Sequence, residues 1–201
     1  MQSRKVERKR VMEGLTRKDI LDSAVTVLIE EGIRKLTMDR VATGAGIAKG
    51  TVYLYFKNKQ ELLESVSAYC FEPLEAEFQS IADTKCDPIG KLEKYALETL
   101  RHAEKNKPLF TELRNVIFSA MDQHVGDKSS WYWAMIDLFA STIDEGVTAG
   151  RIRPVNSVKV AALFLNSINT LMAHRILSTA TESVEEDVRE LLELFTGGLA
   201  I

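Results

Sequence analysis

Cysteine is scarce in this chain, long apolar runs are missing, and the signatures of the common enzyme classes are absent. The two cysteines, Cys70 and Cys86, form no CxxC pair and no Cys/His cluster. They read as reduced thiols of a cytoplasmic protein, not as a disulfide or a metal site. No apolar run reaches the roughly 18–20 residues that span a bilayer. The basic start, MQSRKVERKRVMEG, has no apolar segment behind it and so is no secretory signal. HExxH, GxSxG and P-loop motifs are lacking, which argues against an enzyme. A di-iron helical bundle needs paired E-x-x-H helices, and the nearest approach, Glu98 with His102, has the wrong spacing and no partner. The three histidines, His102, His124 and His174, read as makers of local hydrogen bonds. No metal or cofactor is expected. Repeats, low-complexity tracts and strand-like alternation are all missing, which leaves an all-α chain.

What is present is unevenly distributed. The chain has 201 residues, 45% of them hydrophobic, enough for one compact domain or two small ones. Net charge is only −3. Residues 1–60, however, hold 13 Lys and Arg against 7 Asp and Glu, and residues 61–201 hold 13 against 22. A basic first third on an acidic body suits an end that faces DNA.

The stretch Thr37–Lys59, TMDRVATGAGIAKGTVYLYFKNK, reads as two short helices and a tight turn. Thr37 caps the first helix, and Asp39 sits where the helix dipole favours negative charge. Val41, Ala42 and Ala45 face inward. Gly44 and Gly46 bracket the turn, and Ile47 returns to the core. The second helix turns Val52 and Phe56 inward at i and i+4. Lys49, Thr51, Tyr53 and Tyr55 are left outward around the bare Gly50, with Lys57 and Lys59 just beyond. Such groups bond phosphates and base edges, and a glycine lets the backbone come close to a duplex. A helical hairpin with a polar side is the plainer alternative.

GIAKGTVYLYFKNKQELL closely resembles the recognition-helix signature of the tetracycline-repressor (TetR) family of bacterial regulators. The resemblance extends over about Arg17 to Glu64. Two departures stand out: Ile33 follows Gly32 where the family usually has an aromatic, and Ala48 replaces a frequent Ser or Thr. Ala48 cannot cap the helix or donate to a phosphate, which shifts weight to Thr51. The resemblance implies an N-terminal three-helix helix-turn-helix domain and a C-terminal helical domain for ligand binding and dimerisation. The expected boundaries are 1–15 for a basic flexible arm, 16–60 for the DNA-binding domain and 61–201 for the regulatory body. The arm reads as disordered or partly helical, and its Arg4, Lys5, Arg8, Lys9 and Arg10 either follow phosphates, enter a minor groove or form a solvated tail. Lys49, Gly50, Thr51 and Tyr53 are expected at base edges, and Thr37, Tyr55, Lys57 and Lys59 at phosphates. The partners implied are a double-stranded operator, a small-molecule effector and a second copy of the chain, but no membrane. In the family the last two helices pair with their copies as a four-helix bundle. A dimer can then meet successive major-groove faces, ~34 Å or a multiple apart.

The remaining helices have local start signals. Thr16 to Asp19 resembles a capping box, and the helix behind it carries Ile20, Leu21, Ala24, Val25, Leu28 and Ile29 up to a C-cap at Gly32. Asn58 to Glu61 opens the next helix. Pro73 then either kinks it, in a position to transmit ligand binding to the recognition helix, or ends it. Five helices follow. They start near Asp87-Pro88, Lys107-Pro108, Asp127–Ser130, Asn156 or Ser157, and the capping box Ser183–Glu186. The body supplies aromatics suited to a pocket: Tyr95, Phe110, Phe118, Trp131 and Phe139, with Trp133 and Phe164 beside them. Polar candidates are His102, Arg114, His124, Asn166, Asn169 and His174. An aromatic stripe at helical spacing is more often plain core, and the two asparagines serve a ligand or, the favoured reading, bond across the dimer interface.

Overall fold

The computed structural model describes the backbone of residues 2–123, 131–177 and 183–199, and the side chains of residues 14, 16–116, 132–177 and 183–197. Among these are nine α-helices: α1 (Gln2–Glu31), α2 (Met38–Gly44), α3 (Lys49–Tyr55), α4 (Lys59–Ala82), α5 (Pro88–Lys105), α6 (Lys107–Gln123), α7 (Trp131–Thr148), α8 (Ser157–Leu177) and α9 (Val184–Leu199). Contacts gather them into two units, Met1–Cys70 with Glu112–Ile117, and Phe71–Thr111 with Phe118–Ile201.

In the first unit, α1 is longer than the sequence suggested. Its 30 residues take in the stretch read as an arm, so Thr16–Asp19 lies inside a helix and caps nothing. The physical reason is cooperativity. Residues 2–15 are mostly Arg, Lys, Glu and other tolerant helix formers without proline, and a helix already nucleated downstream propagates into them. Ile20, Leu21, Ala24 and Leu28 form the buried stripe, whereas Ile29 is half exposed. Gly32 ends α1 at φ +82°. Val41, Val52, Phe56, Leu62 and Val66 complete this core. α4 starts with a two-way cap: Asn58 Oδ1 accepts from the Glu61 N–H at 2.9 Å, and Glu61 Oε2 accepts from the Lys57 N–H at 2.7 Å. Pro73 lies within α4 and does not break it.

In the second unit, Phe78, Tyr95, Phe139, Phe164 and Phe195 pack in series with ring centroids 5.0–6.1 Å apart. Such pairs add stability beyond the area they bury. Two buried cations are fully engaged. Lys91 Nζ donates to Glu145 Oε2 and to the Ala82 carbonyl, both at 2.8 Å. Arg175 is held by Glu104 and by Asp187. Asp87 precedes α5 but makes no side-chain cap; its carboxylate takes the Arg151 Nε–H instead, at 3.0 Å. Asn156 caps α8, accepting from the Lys159 N–H at 3.0 Å. The Ser183–Glu186 capping box forms reciprocally. By length and composition α8 would also be apolar enough to cross a membrane, but it buries Ala161, Phe164, Leu165, Ile168 and Met172 in this core.

Candidate nucleic-acid interface and effector site

The α2–turn–α3 unit forms as read. Thr37 is the N-cap of α2, its hydroxyl oxygen accepting from the Arg40 N–H at 3.2 Å. The cap uses only the oxygen, so the Thr37 hydroxyl proton remains available to an acceptor outside. Gly46 supplies the positive φ of the turn, +67°. Gly44 does a different job. It is the last residue of α2, and a Cβ there would run into Ser23 Oγ. Ser23 is buried and donates to the Val41 carbonyl at 2.9 Å, so the close approach locks α2 onto α1. Ala48 precedes α3 without a side-chain cap.

On α3, Lys49, Gly50 and Tyr53 are exposed, while Thr51 and Tyr55 are half-buried. Lys49 Nζ is paired with Asp39 Oδ2 at 2.8 Å, and the hydrogen bond and charge of that carboxylate raise its pKa above the ordinary lysine value. Lys57 is exposed. Lys59 Nζ donates to the Ile33 carbonyl at 2.7 Å, and Glu112 takes the Ile33 N–H at 2.7 Å. The loop after α1 is therefore gripped on both sides of one residue. Beside the positions read from sequence stands Leu54, 83% exposed. Helical spacing around Val52 and Phe56 was the signal that could have found it.

The effector candidates do not form one cluster. Tyr95 and Phe139 are fully buried and stacked at 5.0 Å. Burial raises the Tyr95 phenol's pKa above its usual value, an effect that Thr142 and Lys91 oppose. Thr142 gives its own proton to the Leu138 carbonyl, and the Tyr95 hydroxyl has no partner within hydrogen-bond distance among the described residues. His102 and Phe110 meet edge to face at 5.9 Å, with Phe71 on the other side of Phe110 at 5.4 Å. Arg114 falls in the segment grouped with the first unit, its Nε–H directed at Asn115 Oδ1. Asn166 is exposed and bonds the Tyr132 hydroxyl at 3.2 Å. Asn169 is buried, and its amide nitrogen has no partner among the described residues. The side chains of Phe118 and Trp131, like His124, lie outside the described residues. An apolar void between α5, α7, α8 and α9, lined by Leu92, Ile143, Phe164 and Phe195 among others, holds only about 10 Å³.

Two short helices around a glycine turn, with the second carrying hydroxyls, a cation and a bare glycine outward, define a helix-turn-helix DNA-binding protein. Comparison with known proteins agrees. Residues 20–66 match the family described as bacterial regulatory proteins, tetR family. Along most of its length the chain is 26% identical over 192 residues to the fatty acid metabolism regulator protein of Bacillus subtilis (strain 168), covering 90% of this chain and 93% of that one. It is 22% identical over 189 residues to the HTH-type transcriptional repressor KstR2 of Mycolicibacterium smegmatis, covering 91% and 90%. The fold superposes on the fatty acid degradation regulator FadR of Bacillus halodurans with a TM-score of 0.66 at 20% identity, covering 91% and 95%. The DNA-binding region, residues 20–66, is that of the tetR family, and the chain is a DNA-binding transcriptional regulator.

Proposed function

We propose that the chain is a cytoplasmic repressor that binds a palindromic operator as a homodimer and is released by a small-molecule effector. The observation that carries the DNA-binding half is the outward face of α3, backed by the fully buried Val52 and Phe56. Gly50, Thr51 and Tyr53 meet base edges, and Lys49 joins them by exchanging Asp39 for DNA. Thr37, Tyr55 and Lys57 hold phosphates. Lys59 gives one of its three N–H groups to Ile33 and keeps the others for a phosphate. The dimer forms through α8 and α9. Leu163, Asn166, Thr170, His174 and Leu177 line one exposed face of α8 at three- to four-residue spacing, and Leu194 is 79% exposed on α9. The buried Tyr95 hydroxyl and Asn169 amide nitrogen, both without a partner among the described residues, suit an effector that is largely apolar with one or two hydrogen-bonding groups. The names of the fatty acid regulators among the relatives support the same choice.

The test is binding of the purified protein to the DNA upstream of its own gene across a salt series. Tight, sequence-selective binding with a steep salt slope is the expected result. Weak and unselective binding to that DNA, and to fragments captured from the whole genome, would remove the repressor reading.

A further inference from the structure

We infer that Leu54 reads sequence, its side chain meeting the C5-methyl group of a thymine in the major groove. The inference rests on the DNA-binding reading above and adds a residue to it. Successive helical side chains are rotated by about 100°. With Val52 and Phe56 turned fully into the core, Leu54 projects opposite to them. Gly50, one turn earlier on the same line, presents no side chain, and the space a Cβ would take there is open. Thr51 and Tyr53 stand on the two flanks. The most protruding position of the second helix of the motif is therefore leucine, which at 83% is the most exposed large hydrophobic residue described.

Single exposed leucines are common on protein surfaces and by themselves mean little. This one projects from the outward face of the motif's second helix, and its chemistry narrows what it can touch. It cannot hydrogen-bond a phosphate or a base edge. The apolar group that the major groove offers is the thymine methyl, which distinguishes T·A from the other pairs. The missing side chain at Gly50 allows the backbone close enough for a four-carbon side chain to reach the groove floor.

The experiment begins with selection of bound duplexes from a random-sequence pool by the wild-type chain. Each thymine of the selected site is then replaced by deoxyuridine, which deletes only the methyl group. Binding of wild type and Leu54→Ala is measured on every duplex. At one thymine position per half-site, deoxyuridine is expected to weaken wild type about fourfold, as for one methyl group lost from contact, and to leave Leu54→Ala unchanged. Leu54→Ala should keep the wild-type melting temperature, since the side chain is exposed. Should every deoxyuridine substitution affect both proteins equally, Leu54 does not read thymine, although DNA binding stands. Failure of the wild-type chain to enrich any duplex would remove the DNA-binding reading itself, and this inference with it.

Discussion

At the scale of single residues, Gly44 and Ser23 show how far a local reading reaches. Two glycines around an alanine read as a turn, and Gly46 fulfils that reading with its positive φ. Gly44 does not. It is glycine because Ser23, 21 positions earlier, occupies the volume of its missing side chain. Gly44→Ala should therefore destabilise the first unit by about 1–3 kcal/mol, the usual cost of overpacking. The cost should shrink when Ser23→Ala removes the obstructing oxygen. Chemical denaturation of the four proteins in a double-mutant cycle measures this coupling. Two independent, additive effects would mean that Gly44 is required for its backbone and not for its neighbour. Leu54 was overlooked for a related reason. A leucine in a helix reads as core until two buried neighbours fix which way the helix faces.

Among the elements, starts that depend on a few adjacent residues were legible. Thr37, Asn58, Asn156 and Ser183 all cap as their local sequence indicates. Asp87 does not, because Arg151 from a distant turn takes its carboxylate. The start of α1 was missed because a cap-like motif inside a run of helix formers has no power to stop the run. The surroundings of the effector candidates were the least legible, since Tyr95 and Phe139 meet rings from helices remote in sequence. The start of α4 combines the local and the remote. Lys57 and Lys59 look equivalent in sequence, yet Lys57 is exposed and Lys59 holds the Ile33 carbonyl. Lys57→Ala should weaken binding to all duplexes and flatten the log–log salt slope by about 0.9, the effect of one phosphate contact, with no change in melting temperature. Lys59→Ala should flatten the slope similarly and also cost about 1 kcal/mol of stability, because Ile33 loses its donor. Salt titrations and thermal melts of both variants separate the two roles. An unaltered melting temperature for Lys59→Ala would show that the Ile33 bond contributes nothing to folding.

For the whole molecule, the division of charge and the exposed apolar residues carry one mechanical requirement. A helix as short as α3, seven residues, reads only a few base pairs, so operator selectivity at physiological salt needs a second copy at a fixed distance. Linking two sites converts the second binding event into an intramolecular one and can strengthen binding by roughly 100-fold or more. The acidic body suits this division of labour, because it contributes no attraction for phosphates and leaves DNA affinity to the basic ends. Leu163 and Leu194 are 64% and 79% exposed on α8 and α9, so charged replacements there should not disturb the fold of one subunit. Leu163→Glu combined with Leu194→Glu should place like charges in the paired helices and shift the protein to monomer in sedimentation equilibrium at micromolar concentration, with unchanged far-UV circular dichroism. Operator affinity should then fall by about 100-fold, while affinity for an isolated half-site stays the same. A dimer that survives both substitutions would place the interface elsewhere. A monomer that kept full operator affinity would mean that one α3 is enough, and the requirement for two copies would fall.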